Sequence, residues 1–113
     1  MKELMKKIIT FRDERNWEPF HTPNNLVKSL AIEAAELLEV FQWNTEGESI
    51  ERVKEELADV FIYGLLINHH YGFDLESIIE EKLHKNNLKY PVAKSKGNAK
   101  KYTELKKVED DGN

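Results

Sequence analysis

The chain carries two pairs of acids at one spacing, Glu33 with Glu36 and Glu56 with Asp59. Members of an i, i+3 pair share one side of a helix, with about 5–6 Å between their Cβ atoms. On a helical wheel of about 100° per residue, Leu26, Leu30, Ala34, Leu37 and Phe41 form an apolar face, with Val40 at its margin. Glu33 projects between Val40 and Leu26, inside that face, and Glu36 lies just beyond its edge. From Leu57 to Ile67 the only charge is Asp59, in a run apolar enough to be buried nearly all round. On the same wheel Asp59 and Glu56 flank Tyr63. Acids are rarely buried unless they are paired or bind a metal. If the two segments pack antiparallel, four carboxylates converge with too few cations, and a divalent ion relieves the repulsion. All-oxygen ligands favour Mg²⁺ or Mn²⁺, and Mg²⁺ typically keeps waters and completes its shell with substrate phosphates.

An E-x-x-E pair by itself is a common solvated feature, and Glu39, Glu46, Glu48, Glu51 and Glu55 read that way. What sets the two pairs apart is an acid within an apolar helix matched to a second pair. A di-iron bundle also uses helical carboxylates but needs Glu-x-x-His. Here the residues three after Glu33 and Glu56 are Glu36 and Asp59, so di-iron is disfavoured. A further segment repeats the pattern with opposite sign. Leu75, Ile78, Ile79 and Leu83 make a stripe that contains Lys82 and Asn86, one turn apart. A lysine so placed often only snorkels. Beside an acid-lined metal site, Lys82 suits a phosphate and Asn86 a hydrogen bond to the ligand.

Four helices are expected to position these groups. The first runs from Lys2 to about Arg15, with Leu4, Met5, Ile8 and Phe11 on one stripe. An aromatic loop follows, Asn16-Trp-Glu-Pro-Phe-His-Thr-Pro23, in which two prolines stop the helix. Thr22 reads as an N-cap with proline at the first helical position, opening a second helix to about Phe41. Gly47 and Ser49 precede a third, Ile50 to about His70, which ends at Gly72. Asp74 caps a fourth, to roughly Leu88, with Phe73 and Ile78 spaced for a hydrophobic staple. Tyr90-Pro91 stops it. No segment has a convincing strand period, so the class is all-α, with residues 1–90 as one helical domain and 91–113 as a basic, partly ordered arm.

A chain of 113 residues, 40% hydrophobic and 34% charged, is one domain by length and suits a globular helical protein. It has no cysteine, which removes disulfides, thiolate metal sites and cysteine nucleophiles together. From Pro91 onward six lysines meet four acids, leaving that tail at +2 and residues 1–90 at −6 of a total of −4. So acidic a body is a poor nucleic-acid binder, because duplex affinity comes largely from neutralising phosphates. The longest apolar stretch, Val60 to Ile67, is too short to span a bilayer. Charge fills the first seven residues, where a signal peptide needs an apolar core. The expectation is a cytoplasmic protein with no membrane partner.

The pattern Glu33-x-x-Glu36 followed by Glu56-x-x-Asp59 resembles the MazG-like nucleoside triphosphate pyrophosphohydrolases of the all-α NTP pyrophosphatase superfamily. Phe11-Arg-Asp-Glu-Arg-Asn-Trp17, Phe20-His-Thr-Pro-Asn-Asn-Leu26 and Glu39-Val-Phe-Gln-Trp43 look like the dCTP pyrophosphatase branch. Glu56-Leu-Ala-Asp-Val-Phe-Ile-Tyr63, Lys82-Leu-His-Lys-Asn86, Lys89-Tyr-Pro91 and Gly97-Asn-Ala-Lys-Lys-Tyr-Thr103 continue in register. The resemblance covers roughly residues 8 to 105, and motifs in this order are specific. It implies hydrolysis of a nucleoside triphosphate, dCTP or a modified dCTP among them, to monophosphate and pyrophosphate. It also implies a homodimer or homotetramer and a catalytic Mg²⁺ held by Glu33, Glu36, Glu56 and Asp59. Tyr63, Lys82 and Asn86 would then contact phosphates and Trp17 and Trp43 enclose the base, with His21, Asn25 and Tyr90 also at the substrate. One position departs: Ile8, nine residues before Trp17, replaces a base-pocket histidine of the animal dCTP enzymes.

Two other readings stay open on sequence alone. One is a related all-α pyrophosphatase acting on dUTP or a damaged nucleotide. The other is a non-catalytic helical dimer or adaptor, whose acids balance lysines across an interface. In either case the apolar third helix asks for more cover than so short a chain provides, which predicts an oligomer through helices two and three.

Overall fold

The computed structural model describes residues 1–97, and all its regular elements are helical. In chain order they are α1 (Lys2–Glu14), a 3₁₀ turn (Glu18–Phe20), α2 (Pro23–Val40), α3 (Ile50–Tyr71), α4 (Leu75–Lys89) and the single turn α5 (Val92–Ser95). The chain divides into two compact units, residues 1–73 and 74–113. Most of the expected basic arm, residues 98–113, lies outside the described residues.

Local chemistry ends each helix where it does. At the close of α1, Asn16 takes a positive φ of 55°. Its amide reaches the carbonyl of Asp13 at 3.0 Å, and the Trp17 amide reaches that of Arg12 at 3.1 Å. This is a Schellman closure with asparagine in the left-handed position. It fixes the backbone of Trp17 onto the last turn of α1. Ser49 caps α3 by accepting from the Arg52 amide at 3.1 Å, and Gly72, at φ 67°, closes it. Thr22 does occupy the N-cap position of α2, with Pro23 first in the helix, but its side chain makes no cap bond. Its hydroxyl instead donates to Asn24 Oδ1 at 2.6 Å.

In the first unit α2 packs chiefly against α3, and α1 lies against α3 more lightly. Residues 41–49 return the chain along α2. The Glu48 amide donates to the carbonyl of Val40 at 2.9 Å, and Gly47, at φ 91°, passes close to Phe41 and Val53. A Cβ there would lie 3.0 Å from Val53 Cγ2, so only glycine fits without a shift. The buried core is Ile8, Leu26, Val40, Leu65 and Leu66.

Two features of the packing differ from the wheel. Val40 is fully buried while Ala34 is exposed, so the buried face of α2 is rotated toward Leu26, Glu33 and Val40. Glu33 therefore lies at its centre. The helix turns its acid, not its alanine, toward α3. Helix α3 is covered on one side only: Leu57 is 42% exposed and Phe61 62%. In the second unit Asp74 caps α4 by accepting from the Ser77 amide at 3.1 Å. No helix among the described residues is long and apolar enough to cross a membrane.

Candidate active site

The α2–α3 pair brings the two acid pairs together. Glu33, Glu56 and Asp59 each place a carboxylate oxygen within 4.8 Å of the others. Neither Oε2 of Glu33 nor Oε2 of Glu56 is exposed, and neither has a hydrogen-bond partner. An orphaned buried acceptor costs about 1–3 kcal/mol, more when charged, so two together in one trio need a compensating ligand. Among the described residues the nearest compensation is Arg52, whose Nη2 is 4.0 Å from Glu56 Oε1. It is shared, since Arg52 Nη1 holds Glu48 at 2.6 Å.

The electrostatics record the same deficit. Burial pushes the Glu33 carboxyl up from 4.5 to about 7, with hydrogen bonding and charge from Glu36, then the charges of Asp59 and Glu56, adding to it. Burial also raises Glu56, helped by the charge and hydrogen bonding of Glu36 and by Asp59, while Arg52 pulls the other way. Glu36 thus lies against both pairs, though it is not one of the close trio. A divalent cation answers this arrangement directly: hard oxygen donors with free lone pairs, held close and repelling one another. The residues present fit such an ion.

Beside the trio opens a cavity of about 340 Å³. Glu33 and Asp59 line it along with Tyr63, Ile62 and Leu66 of α3, Lys7, Ile8, Phe11 and Arg12 of α1, and Trp17 and His21 of the loop. Its aromatic wall is continuous. Phe11 and Trp17 meet edge to face at 5.7 Å between centroids, as do His21 and Tyr63 at 6.5 Å, and Trp17 and His21 lie tilted to each other at 6.4 Å. Outside it, the Arg15 guanidinium lies over Phe11 at 3.7 Å. His21 Nδ1 is buried without a hydrogen-bond partner. Burial and then the charge of Arg12 lower the His21 pKa, against a smaller opposing effect of Glu18, so the imidazole is neutral near pH 7. Flat apolar surface at one end and carboxylates at the other suit a ligand with an aromatic ring and phosphates that reach a metal.

Of the residues singled out by sequence, Glu33, Asp59, Trp17, His21 and Tyr63 line this cavity, and Glu36 and Glu56 lie beside its acids. Asn25 instead donates from Nδ2 to the Phe20 carbonyl at 3.0 Å, holding the aromatic loop. Trp43 is 83% exposed and does not line the cavity. Lys82, exposed, and Asn86 and Tyr90, half-buried, belong to the second unit. Sequence reasoning passed over Lys7, Arg12, Phe11, Ile62 and Leu66 as wall residues. Phe11 and Arg12 belong to the motif Phe11-Arg-Asp-Glu-Arg-Asn-Trp17, but nothing in their spacing marks them as facing a cavity.

The MazG-like family matches residues 28–105. dCTP pyrophosphatase 1 of Rattus norvegicus is 37% identical over 114 aligned positions, spanning 93% of this chain and 67% of that protein. The Homo sapiens dCTP pyrophosphatase 1 is 36% identical over the same shares. Among solved structures, a pyrophosphatase from Archaeoglobus fulgidus superposes with a TM-score of 0.72 at 39% identity, covering 80% of this chain and 92% of that one.

Proposed function

The chain belongs to the MazG-like family and is a nucleotide pyrophosphohydrolase, and from that premise we propose that it is Mg²⁺-dependent and cleaves a nucleoside triphosphate between its α and β phosphates. dCTP is the substrate to which its curated relatives point, and a modified dCTP belongs to the same proposal. The observation that carries the reading is the carboxylate trio with its two orphaned oxygens, opening onto an aromatic-walled cavity.

Glu33, Glu56 and Asp59 would hold the ion, with Glu36 adjoining. When bound, the ion supplies Lewis acidity, polarising phosphate oxygens and making water easier to deprotonate. The chain's own residues do the rest. Trp17, with Phe11 behind it, gives the base a flat surface, and stacking of this kind contributes about 1–3 kcal/mol. Ile8 and Leu66 exclude water from that end. Glu36 lies outside the close trio but against two of its members, which leaves its carboxylate to accept the proton of the attacking water. Tyr63, which lines the cavity and meets His21 edge to face at 6.5 Å, would contact a phosphate, as the family resemblance implies. Lys82 and Asn86 of α4 are assigned to the outer phosphates on the family pattern.

The same reading includes a homo-oligomer. Ile32, Leu38 and Phe61 are 58%, 71% and 62% exposed on α2 and α3, and large apolar side chains left uncovered on these two helices are what an association surface would cover. The exposed Trp43 is accounted for by the same interface. A panel of nucleoside triphosphates with Mg²⁺, assayed for released pyrophosphate, tests the function. Turnover of at least one pyrimidine nucleotide to monophosphate and pyrophosphate is expected, and absence of turnover across the panel rejects it.

A further inference from the structure

Arg12 is the one cationic side chain shown to be largely withdrawn from solvent at the cavity, being only 15% exposed. Its Nε donates to Asp13 Oδ1 at 2.9 Å, and among the described residues its two Nη groups make no hydrogen bond. The ion pair on Nε sets the plane of the guanidinium and leaves the Nη edge as a pair of donors. Arg12 and Trp17 line the same cavity, and the Trp17 amide is bonded to the Arg12 carbonyl at 3.1 Å. Arg12 also acts electrostatically on His21, whose buried Nδ1 lacks a partner. The cavity wall shared with Trp17 therefore includes a guanidinium whose Nη donors are free among the described residues. A ligand ring lying on Trp17 would present its edge to these donors.

We propose that Arg12 reads the base, its Nη fork donating to a ring carbonyl and any acceptor nitrogen next to it. Paired donors of this geometry match carbonyl-bearing bases. Guanine offers O6 with N7, and cytosine offers O2 with N3. Adenine has no ring carbonyl, and its exocyclic amine meets the fork donor to donor. The pocket is thus selective for oxo-bearing bases and against adenine. Lysine cannot replace this arginine, since an ammonium is a point charge without the planar fork. This inference rests on the reading that the Trp17 cavity receives the nucleobase.

The test compares Arg12→Ala and Arg12→Lys with the parent on dCTP, dUTP and dATP. For both variants the KM for dCTP and dUTP should rise at least tenfold, with kcat within threefold, while the KM for dATP does not rise and in Arg12→Ala falls. An equal rise for all three nucleotides would mean that Arg12 attracts phosphate rather than reads the base, and would overturn the proposal. So would unchanged KM values, or full rescue by lysine. Deoxycytidine binding, measured by calorimetry in EDTA, adds an arm that needs neither phosphate nor metal nor turnover. Binding by the parent and its loss in Arg12→Lys support the proposal, and equal binding by both contradicts it. If the parent hydrolyses nucleotides but either contrast fails, this inference alone falls. If the parent neither turns over any nucleotide nor binds deoxycytidine, the functional reading falls with it.

Discussion

Replacing Glu33 by glutamine removes one charge from the crowded trio while keeping the shape of the side chain. In the metal-free protein this carboxyl titrates at about 7 instead of 4.5. At about 1.4 kcal/mol per pH unit, holding it ionised above neutrality costs about 3 kcal/mol before screening. Glu33 also lines the open cavity, and solvent screening there leaves about 1–2 kcal/mol. The sign follows from proton linkage. The folded state holds this proton more tightly than the unfolded state, so stability is greatest at low pH and falls as pH rises from about 4.5 through about 7. Glu33→Gln in EDTA should therefore gain about 1–2 kcal/mol at pH 8 and only a fraction of that at pH 5. For a chain of this length that is roughly 5–10 °C in Tm. Urea or thermal unfolding at one fixed protomer concentration measures it, since association makes Tm concentration-dependent. Mg²⁺ should stabilise the parent at pH 8, by about 2.7 kcal/mol at a hundredfold excess over its Kd, and should add little to the variant. A loss of stability in Glu33→Gln at pH 8 in EDTA would refute the reasoning, because Glu33 would then be satisfying a partner rather than awaiting an ion. An equal gain at pH 5 and pH 8 would refute it too.

Two other predictions follow from the cavity and the surface. Trp17→Ala removes the stacking platform and should raise the KM for the preferred pyrimidine nucleotide by about tenfold or more, given roughly 1–3 kcal/mol per stacked base, while kcat changes far less; an unchanged KM would move the base elsewhere. Sedimentation of the parent at micromolar concentration should show a stable dimer or larger, and Phe61→Glu, which puts a charge on the exposed side of α3, should shift it toward monomer; a parent that sediments as a monomer would overturn the assembly reading.

The termini of the helices were legible because each rests on a short-range signal. Ser49, Gly72 and Asp74 do what their residue types lead one to expect. Thr22 stands at its expected place, but its hydroxyl donates to Asn24 Oδ1 and accepts from no first-turn amide. The four acids were legible as an anomaly, since charge inside an apolar stripe needs a reason. The orientation of α2 was not. A wheel centres on the mean apolar direction and assigns Ala34 to the core, whereas the helix is turned so that Glu33 faces α3 and Val40 is buried. Alanine carries too little surface to fix a rotation, and a site that gathers carboxylates pulls against the apolar pattern. The walls contributed by α1 were hidden for a different reason. Arg12 and Phe11 are ordinary helical residues until the Schellman turn at Asn16 folds Trp17 back beside them. Trp43, taken as a base contact, is exposed in the single chain, and no local pattern in one sequence reports what a second chain would cover.

The central claim is that the acids exist to hold an ion for pyrophosphate release, and Asp59→Asn tests it most directly. Asp59 lines the cavity and belongs to the close trio, yet no ion pair involves it among the described residues. Incubating the parent and Asp59→Asn with dCTP, with Mg²⁺ or with EDTA, and separating the products distinguishes every alternative. Monophosphate and pyrophosphate are expected from the parent with Mg²⁺ only, with no turnover by a folded Asp59→Asn whose stability in EDTA equals or exceeds the parent's. Turnover by the parent in EDTA, activity retained in Asp59→Asn, or diphosphate and orthophosphate as the first products would contradict it.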